Sequence, residues 1–450
     1  MIDTELSGGD SCSAGAHSAS AGGMPRSMPY IIAAEFTERM SYYAIQAILV
    51  IFMTTRMLAR DGTPDPMSES DAIAYYHWFV SISMFLPLVG ALLADGIWGK
   101  YLTILSLSGM YVLGHAALAL DETLVGLTIG LGLIAIGAGA LKSCVPAMLG
   151  DQFTKEQEPM LPRVYSWYFW ILNLGSFIST LSTPLLLENL GPRVAFGVPC
   201  LLMAASTIVF WLGRRRYVIV APSGYAKLAQ LFSWESVREL RVLGFVSLLI
   251  VPPVGVLYIT NSAMVLQAVH LNLHWAGFNW LPAQVFVFNP LFSLAFIPLL
   301  PTIAYPAIER LVRLTPLRKI GAGFVFAMLG LLLLIWLQLR INAGAHPSVG
   351  WHVLIIGIFI VSELLIHITV TEYACRVAPL RLRSVAMSFR PMTIAFGNAF
   401  IALTTTFVSS GSHGVAPGVA YYFFFLVIVA FSSVLYMMYC SRLSPADAAL

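Results

Sequence analysis

Charged residues are scarce in this sequence. Only 10% of its 450 residues are Asp, Glu, Lys or Arg, and 58% are hydrophobic. The mean hydropathy is +0.81. Soluble domains carry about 25% charged residues, so the composition excludes an ordinary soluble enzyme or binding domain. The formal net charge of only +3 gives no indication of a nucleic-acid partner.

Cysteine is also scarce. The five cysteines, Cys12, Cys144, Cys200, Cys375 and Cys440, are far apart in the chain. Their spacing matches neither a zinc site nor a disulfide framework. The polar segments also lack a phosphate-binding loop and a nucleophile paired with a base. We therefore expect no catalytic site, no metal and no cofactor.

We expect no signal peptide in the amino-terminal region. Residues 1–27 are rich in Ser, Gly and Ala and lack the basic segment followed by an apolar one that marks a leader. We expect this region to be a disordered cytoplasmic tail, with Met24 and Met28 as alternative start positions.

Long hydrophobic runs are abundant. A helix of about 20 apolar residues crosses a hydrocarbon core of about 30 Å, and such runs recur along the whole chain. The sequence predicts an all-α membrane protein with twelve transmembrane helices. Their approximate bounds are 28–54, 72–94, 101–120, 124–150, 164–187, 194–213, 243–268, 284–308, 320–339, 351–375, 384–410 and 417–440.

Basic residues are divided unevenly between the connections. Of the 25 Lys and Arg residues, 18 fall on one side of the predicted membrane and only four on the other, namely Arg56, Arg60, Arg193 and Arg340. By the positive-inside rule, both termini are cytoplasmic. We expect the chain in a plasma membrane or a bacterial inner membrane.

The longest polar interruption between the central spans divides the predicted helices six and six. The sequence predicts a six-helix bundle at 28–213, a cytoplasmic linker at 214–242, a second six-helix bundle at 243–440 and a cytoplasmic tail at 441–450. Two such bundles are the layout of the major facilitator fold, in which substrate binds between them. The segment Gly90–Lys100 contains several small residues together with Asp95 and Lys100, and it resembles the loop motif shared across that superfamily.

Three charged residues, Glu35, Glu38 and Arg39, lie in the first apolar span. A charge at the bilayer centre costs roughly 2.5 to 3.5 kcal/mol, so it persists when it is paired, faces water or has a function. At helical spacing, one stripe of this span is formed by Glu35, Arg39, Tyr42, Tyr43 and Gln46. We infer that the stripe faces a pathway or a partner helix.

Several motifs follow one another in a distinctive order. They are Glu35–Tyr43, Tyr76–Phe79, Lys142 followed by Asp151–Phe153, Tyr168–Ser176 and Asn289–Phe292. Glu363 stands 16 residues before Pro379. From about residue 30 to residue 440, these motifs resemble those of the proton-coupled oligopeptide transporter family of the major facilitator superfamily, including its ExxERFxYY, FYxxINxGS and NPLF sequences.

The resemblance implies a symporter that imports di- and tripeptides, or peptide-like solutes, together with protons. It implies a monomer in a lipid bilayer. The proton-coupling residues it implies are Glu35, Glu38, Arg39 and His77. The substrate-binding residues it implies are Tyr42, Tyr43, Lys142, Asn173, Asn289 and Glu363. Glu363 would bind the peptide amino terminus, and it would pair with Lys142 when the cavity is closed.

The chain departs from the family at three places. Gln46 stands where the family often has an arginine, and Tyr258–Asn261 replaces an acidic stretch in the seventh span. Losing both partners of one ion pair avoids a lone buried charge.

Arg390 stands where the family commonly has a tryptophan that lines the pocket. We hypothesise that Arg390 contacts an anionic part of the cargo, so that the substrate is an acidic peptide or a peptide-like carboxylate.

Structural alternatives remain for these residues. The charges of the first span could form a static cluster, Lys142 and Glu363 a static ion pair, and His77 a packing contact. Arg390 could reach the lipid headgroups or pair with Glu372. Alternative functions are transport of nitrate or another anion, export of a peptide-like natural product, and a sensor or scaffold without transport.

Overall fold

The computed structural model describes residues 24–154, 156–222, 224, 238–310, 314–378, 382–410 and 418–442. Most of these residues are helical. The predicted amino-terminal tail, the linker and the carboxy-terminal tail lie largely outside the described residues, and Pro379 also lies outside them.

The first six predicted spans form six long helices. They are α1 (Met28–Thr55), α2 (Glu69–Leu93), α3 (Gly99–Leu120), α4 (Leu124–Gly150), α5 (Leu161–Leu190) and α6 (Pro192–Leu212). Ser68 and Thr123 accept hydrogen bonds from first-turn N–H groups at the starts of α2 and α4. A π-helical turn joins α2 to α3, and Gly99 has a φ of 74°, which glycine adopts without steric cost.

The seventh predicted span, 243–268, is broken in the structure. It contains α7 (Arg241–Leu249), α8 (Val251–Leu257), a 3₁₀ turn (Tyr258–Asn261) and α9 (Ala263–Ala268). The chain bends by 47° between α7 and α8. Pro252 and Pro253 lie at the start of α8 and have no N–H to donate to the preceding turn, which explains the break.

The last five predicted spans are helical. They contain α10 (Phe288–Leu299), α11 (Tyr305–Glu309), α12 (Pro316–Asn342), α13 (Gly350–Val377), α14 (Arg383–Ser410) and α15 (Val419–Arg442). A π-helical turn, Leu300–Ala304, makes α10 and α11 continuous. Before α10 lies a short antiparallel hairpin of β1 (His274–Trp275) and β2 (Phe278–Asn279), in which His274 pairs with Asn279.

The helices make this a multi-pass membrane protein. Among the described residues, eight helical runs are long and apolar enough to cross a bilayer, or nine if α7 and α8 count as one bent span. This count takes Glu69–Leu120, which contains both α2 and α3, as a single run. The long helices α1 and α14 are not in the count, and they carry four charged residues of the site described below, namely Glu35, Glu38, Arg39 and Arg390.

The helices pack in two groups. In the first, α1 packs against α5 and α6, while α3 packs against α4 and α6. In the second, α12 packs against α13 and α15, and α8 packs against α14. The two groups meet mainly where α2 lies along α14 and where α5 lies along α10. The inner faces of the two groups therefore oppose each other, with α1 on one side and α13 and α14 on the other.

The contact between α8 and α14 depends on two glycines. A Cβ added to Gly255 would lie 2.6 Å from the carbonyl oxygen of Gly397. Such a distance is too short for any side chain, so we expect Gly255→Ala to destabilise the protein by roughly 1–3 kcal/mol through overpacking. The measurement is the midpoint of thermal unfolding in detergent.

A matched control is Gly244→Ala on α7. There the new Cβ would meet only the Phe389 ring, at an ordinary distance of 3.5 Å. This substitution should be neutral or stabilising by up to about 1 kcal/mol, because alanine favours helix. Equal midpoints for the two variants would contradict the close packing of α8 on α14.

Candidate functional site

Arg39 lies between two carboxylates of its own helix. Its Nη2 is 2.9 Å from Oε1 of Glu35, and its Nε is 3.3 Å from Oε2 of Glu38. The side chains of Glu35 and Glu38 are only 2% and 1% exposed, and that of Arg39 is 13% exposed. The structure thus brings together the three charges of the first span. One guanidinium between two buried carboxylates leaves an excess of negative charge.

Lys142 of α4 supplies the second positive charge. Its Nζ lies 3.8 Å from the centre of the Tyr42 ring, in a cation–π contact. Within the described part of the chain, this Nζ has no hydrogen-bond partner, although the charges of Glu38 and Glu35 act on it. We call Glu35, Glu38, Arg39 and Lys142 the acid–base cluster.

The predicted ion pair between Lys142 and Glu363 is not formed in this structure. Glu363 of α13 instead has its Oε1 3.7 Å from Nδ1 of His367, one helical turn further along. The Glu363 side chain is 29% exposed, whereas that of His367 is 5% exposed. The Glu363 carboxylate therefore remains accessible from solvent, while the acid–base cluster lies on the opposite group of helices.

Arg390 of α14 is exposed although it lies in a long helix. Among the described residues, no carboxylate lies within 4.0 Å of its guanidinium, and Glu372 lies 4.0 Å from Lys319 instead. The charge of Arg390 acts on Tyr43 of α1 and on Tyr258. Two helical turns further along α14, Asn398 contacts His77 of α2, so the side of α14 that carries Arg390 meets the first group of helices. From the exposure of Glu363 and Arg390 we infer a solvent-accessible space between the two groups, which we call the chamber.

The remaining predicted binding residues lie on helices of both groups. Tyr42 is 2% exposed, and its hydroxyl accepts a hydrogen bond of 3.2 Å from Nε2 of Gln46. Asn173 on α5 donates to the carbonyl oxygen of Phe169, 2.9 Å away in the same helix. Asn289 is half-buried on α10, which packs against α5. Both asparagines thus lie on helices that form the contact between the two groups.

One end of the chamber is closed by His77. This residue is fully buried, with Nδ1 2.7 Å from Oδ1 of Asn398 on α14 and Nε2 2.9 Å from Oγ of Ser262 before α9. These three residues, which we call the His77 latch, join the two groups. The latch lies towards the end with few basic connections, and we infer that Glu363 and Arg390 are reached from the opposite, basic end.

The latch can form in both protonation states of the imidazole. In the neutral ring, Nδ1–H donates to Asn398 and Nε2 accepts the hydroxyl proton of Ser262. In the protonated ring both nitrogens donate, and the Ser262 hydroxyl can donate instead to the carbonyl oxygen of Ile259, 3.4 Å away. The Asn398 amide is oriented by its own hydrogen bond of 2.9 Å to the carbonyl oxygen of Ile394.

Sequence reasoning missed a second buried histidine. His115 of α3 is fully buried, and its Nε2 lies 2.6 Å from Oγ of Ser41 on α1. Its ring stacks on Tyr111 at 5.0 Å. The contact holds α3 against the part of α1 that carries the acid–base cluster. The signal was an ionisable residue within the apolar third span, the same signal that singled out Glu35.

We expect His77→Leu to open the closed end of the chamber, because both hydrogen bonds between the groups are lost. Spin labels at Asp65 and Ala343, exposed on the outer connections of the two groups, report the separation by pulsed electron resonance. The five native cysteines are replaced beforehand. The distance distribution should broaden and shift to longer values.

The control for this measurement is His274→Leu, whose imidazole bonds only within its hairpin, to Asn279 at 2.8 Å. It should leave the distribution unchanged. An unchanged distribution for His77→Leu as well would show that the latch does not hold this end closed.

Comparison with known proteins identifies relatives of the chain. Residues 101–234 and 227–418 match the model of the POT family. Peptide transporter family 1 of Drosophila melanogaster is 34% identical over 72% of this chain and 49% of its own length. Solute carrier family 15 member 2 of Homo sapiens is 31% identical over 72% of this chain and 50% of its own length. The chain thus spans about half the length of these curated relatives.

The structure also resembles a solved structure over nearly its whole length. The crystal structure of the POT family transporter PepTSo superposes with a TM-score of 0.84 at 29% sequence identity. The superposition covers 93% of this chain and 98% of that one. The likeness therefore includes both groups of helices.

Proposed function

This chain belongs to the POT family, and from that premise we propose that it is a proton-coupled symporter of di- and tripeptides or peptide-like solutes. The family and the major facilitator fold that the sequence predicts are confirmed. The observation that carries the proposal is the position of the acid–base cluster opposite the accessible carboxylate of Glu363. Such a chamber offers opposite charges to the two ends of a peptide. The proposed reaction is movement of cargo without a chemical step, so the protein is not an enzyme.

Proton coupling follows from the charge balance of the acid–base cluster. With Glu35 and Glu38 both ionised, the cluster has equal numbers of positive and negative charges. A proton on either carboxylate leaves one uncompensated positive charge in a medium of low dielectric constant. That charge attracts the carboxylate of the cargo. Proton and peptide therefore favour each other's binding, which is the requirement for symport.

The cargo is placed by charges on opposite groups of helices. Glu363 binds the amino terminus of the peptide, while Arg39 and Lys142 attract its carboxylate. Tyr42, Tyr43, Asn173 and Asn289 are proposed to supply hydrogen bonds around the peptide. Because the two ends of one peptide contact both groups, bound cargo draws the groups together at the open end.

Alternating access is proposed to use the two groups as rigid units, with bounds at 28–213 and 243–440. By the positive-inside rule, the basic end of the chamber is cytoplasmic. The structure then corresponds to a state that opens inwards and is closed outwards by the His77 latch. The membrane is a plasma membrane or a bacterial inner membrane, and the protein works as a monomer.

A second candidate function is transport of nitrate or another anion. Arg390 favours it, because this cation faces the chamber without a carboxylate within 4.0 Å among the described residues. The exposed carboxylate of Glu363 disfavours it, since an inorganic anion has no group to pair with that charge. Competition of peptide uptake by nitrate separates the two candidates.

Uptake of labelled Ala-Ala into proteoliposomes tests proton coupling. An inward proton gradient should drive accumulation by the wild type, and Glu35→Gln should abolish it, because the variant lacks a proton-accepting carboxylate. Exchange of labelled for unlabelled peptide without a gradient should survive, since it needs no net proton movement. These readouts separate loss of coupling from loss of the fold.

The matched control is Glu188→Gln, the same change at a residue that is 59% exposed and pairs with Arg56 at the surface. It should accumulate peptide like the wild type. Accumulation that is independent of the gradient, or that persists in Glu35→Gln, would refute coupling at this carboxylate.

Capture of the amino terminus is tested by Glu363→Gln. A hydrogen bond to a charged group contributes roughly 1.5–3 kcal/mol, so KM for Ala-Ala should rise about tenfold or more. For acetyl-Ala-Ala, which has no ammonium group, the variant and the wild type should differ little. The ratio of KM values for the two peptides is the measurement.

Glu372→Gln on the same helix is the control. Glu372 lies 4.0 Å from Lys319, whereas Glu363 lies 3.7 Å from His367. It should preserve the wild-type ratio. A Glu363→Gln variant that still distinguishes the free from the acetylated peptide would exclude Glu363 as the amino-terminal site.

A further inference from the structure

Arg390 and Glu363 face the same part of the chamber. The charges of both residues act on the hydroxyls of Tyr43 and Tyr258. Arg390 also acts on His367, whose Nδ1 is 3.7 Å from the Glu363 carboxylate. No ion pair within 4.0 Å joins Arg390 to Glu363 among the described residues. One anionic and one cationic group thus lie near each other in the chamber without satisfying each other.

The environment of Arg390 favours binding of an anionic ligand. A charge at membrane depth persists when it is paired, meets water or binds a ligand. Asn398, two helical turns after Arg390, contacts His77 of the first group, so α14 turns this side towards the other helices and away from lipid. Glu363, the nearby carboxylate, already lies beside His367. A peptide whose ammonium binds Glu363 therefore leaves Arg390 available for a second group.

The geometry of a peptide limits what that second group is. The α-ammonium and the side chain of the first residue leave the same Cα, so they reach neighbouring positions in the chamber. The carboxylate at the other end of the peptide is drawn to Arg39 and Lys142, on the opposite group of helices. Arg390 is therefore placed to meet the first side chain of the cargo.

Building on the peptide transport proposed above, we propose that Arg390 is a specificity-determining residue that binds the side-chain carboxylate of an amino-terminal Asp or Glu. The preferred cargo is then a short peptide that begins with an acidic residue. Glu363 and Arg390 hold the ammonium and the side-chain carboxylate of this residue. The guanidinium fork can form two parallel hydrogen bonds to the carboxylate.

The test is competition against uptake of labelled Ala-Ala by the full chain in proteoliposomes. Glu-Ala is compared with Gln-Ala, which has nearly the same shape and no charge, and with Ala-Glu, which has the acid in the second position. The wild type should bind Glu-Ala about tenfold more tightly than Gln-Ala, as expected for a charge-assisted hydrogen bond. Ala-Glu should gain much less.

Arg390→Gln should bring the ratio of inhibition constants for Glu-Ala and Gln-Ala close to one. Arg390→Lys should retain part of the preference, because it keeps the charge and loses the fork. Arg340→Gln, which removes a guanidinium on the exposed outer end of α12, is the control and should keep the wild-type ratio. The ratio of inhibition constants within one variant does not depend on how much of the protein is active. The comparison of Glu-Ala with Gln-Ala in the wild type can be made without any variant.

Three results would overturn the inference while peptide transport stands. They are equal inhibition of the wild type by Glu-Ala and Gln-Ala, a preference that survives in Arg390→Gln, and an equal loss of affinity for every peptide in that variant. The last result would assign Arg390 to the terminal carboxylate. Absence of Ala-Ala uptake, together with absence of binding of all these peptides to the purified wild type, would overturn the proposed function and the inference with it.

Discussion

A charge buried at membrane depth must be balanced by a neighbouring charge, a proton or a ligand, and the rest of this molecule follows from that requirement. In α1, Arg39 lies within 3.3 Å of both Glu35 and Glu38, and Lys142 supplies the second positive charge from α4. The acid–base cluster is balanced only when both carboxylates are ionised. A proton on either carboxylate would leave one positive charge without a partner, and this is how the proposed symport would connect proton uptake to cargo binding.

The contacts between the two groups of helices are suited to a molecule that must open and close. At the closed end, the His77 latch joins the groups through hydrogen bonds to Asn398 and Ser262, and these bonds can form while the imidazole is neutral. A net hydrogen bond contributes only about 0.5–1.5 kcal/mol, whereas separating a buried ion pair leaves costly unpaired charges. Within the second group, by contrast, Gly255 and Gly397 allow close backbone contact, which favours movement of that group as a unit.

The sequence predicts the features of this structure that depend on local pattern, and it does not predict those that depend on contacts between distant residues. Runs of apolar residues predict the helices because bilayer thickness sets their length. The break at Pro252 was not predicted, because proline is tolerated in many membrane helices whose freed carbonyl groups find other partners. The charges of α1 predict a cluster, but spacing along the chain cannot give the distance between Lys142 and Glu363, because the two residues lie in different groups of helices. His115 was not predicted, because a single histidine in an apolar span does not reveal its partner, which is Ser41 on another helix.

The charge balance of the whole chamber also bears on the cargo. When the chamber is empty, the charges of the acid–base cluster sum to zero, and the charges of Glu363 and Arg390 also sum to zero, although no ion pair within 4.0 Å joins these two residues. One bound proton and one zwitterionic peptide leave the loaded chamber with a single excess positive charge. One bound proton and a peptide with an additional carboxylate leave it with none. Since charge in a low-dielectric region is costly, the loaded state closes more readily around the acidic peptide. The electrostatics of the proposed proton coupling at α1 thus also favour the proposed binding of an anionic first residue at α14.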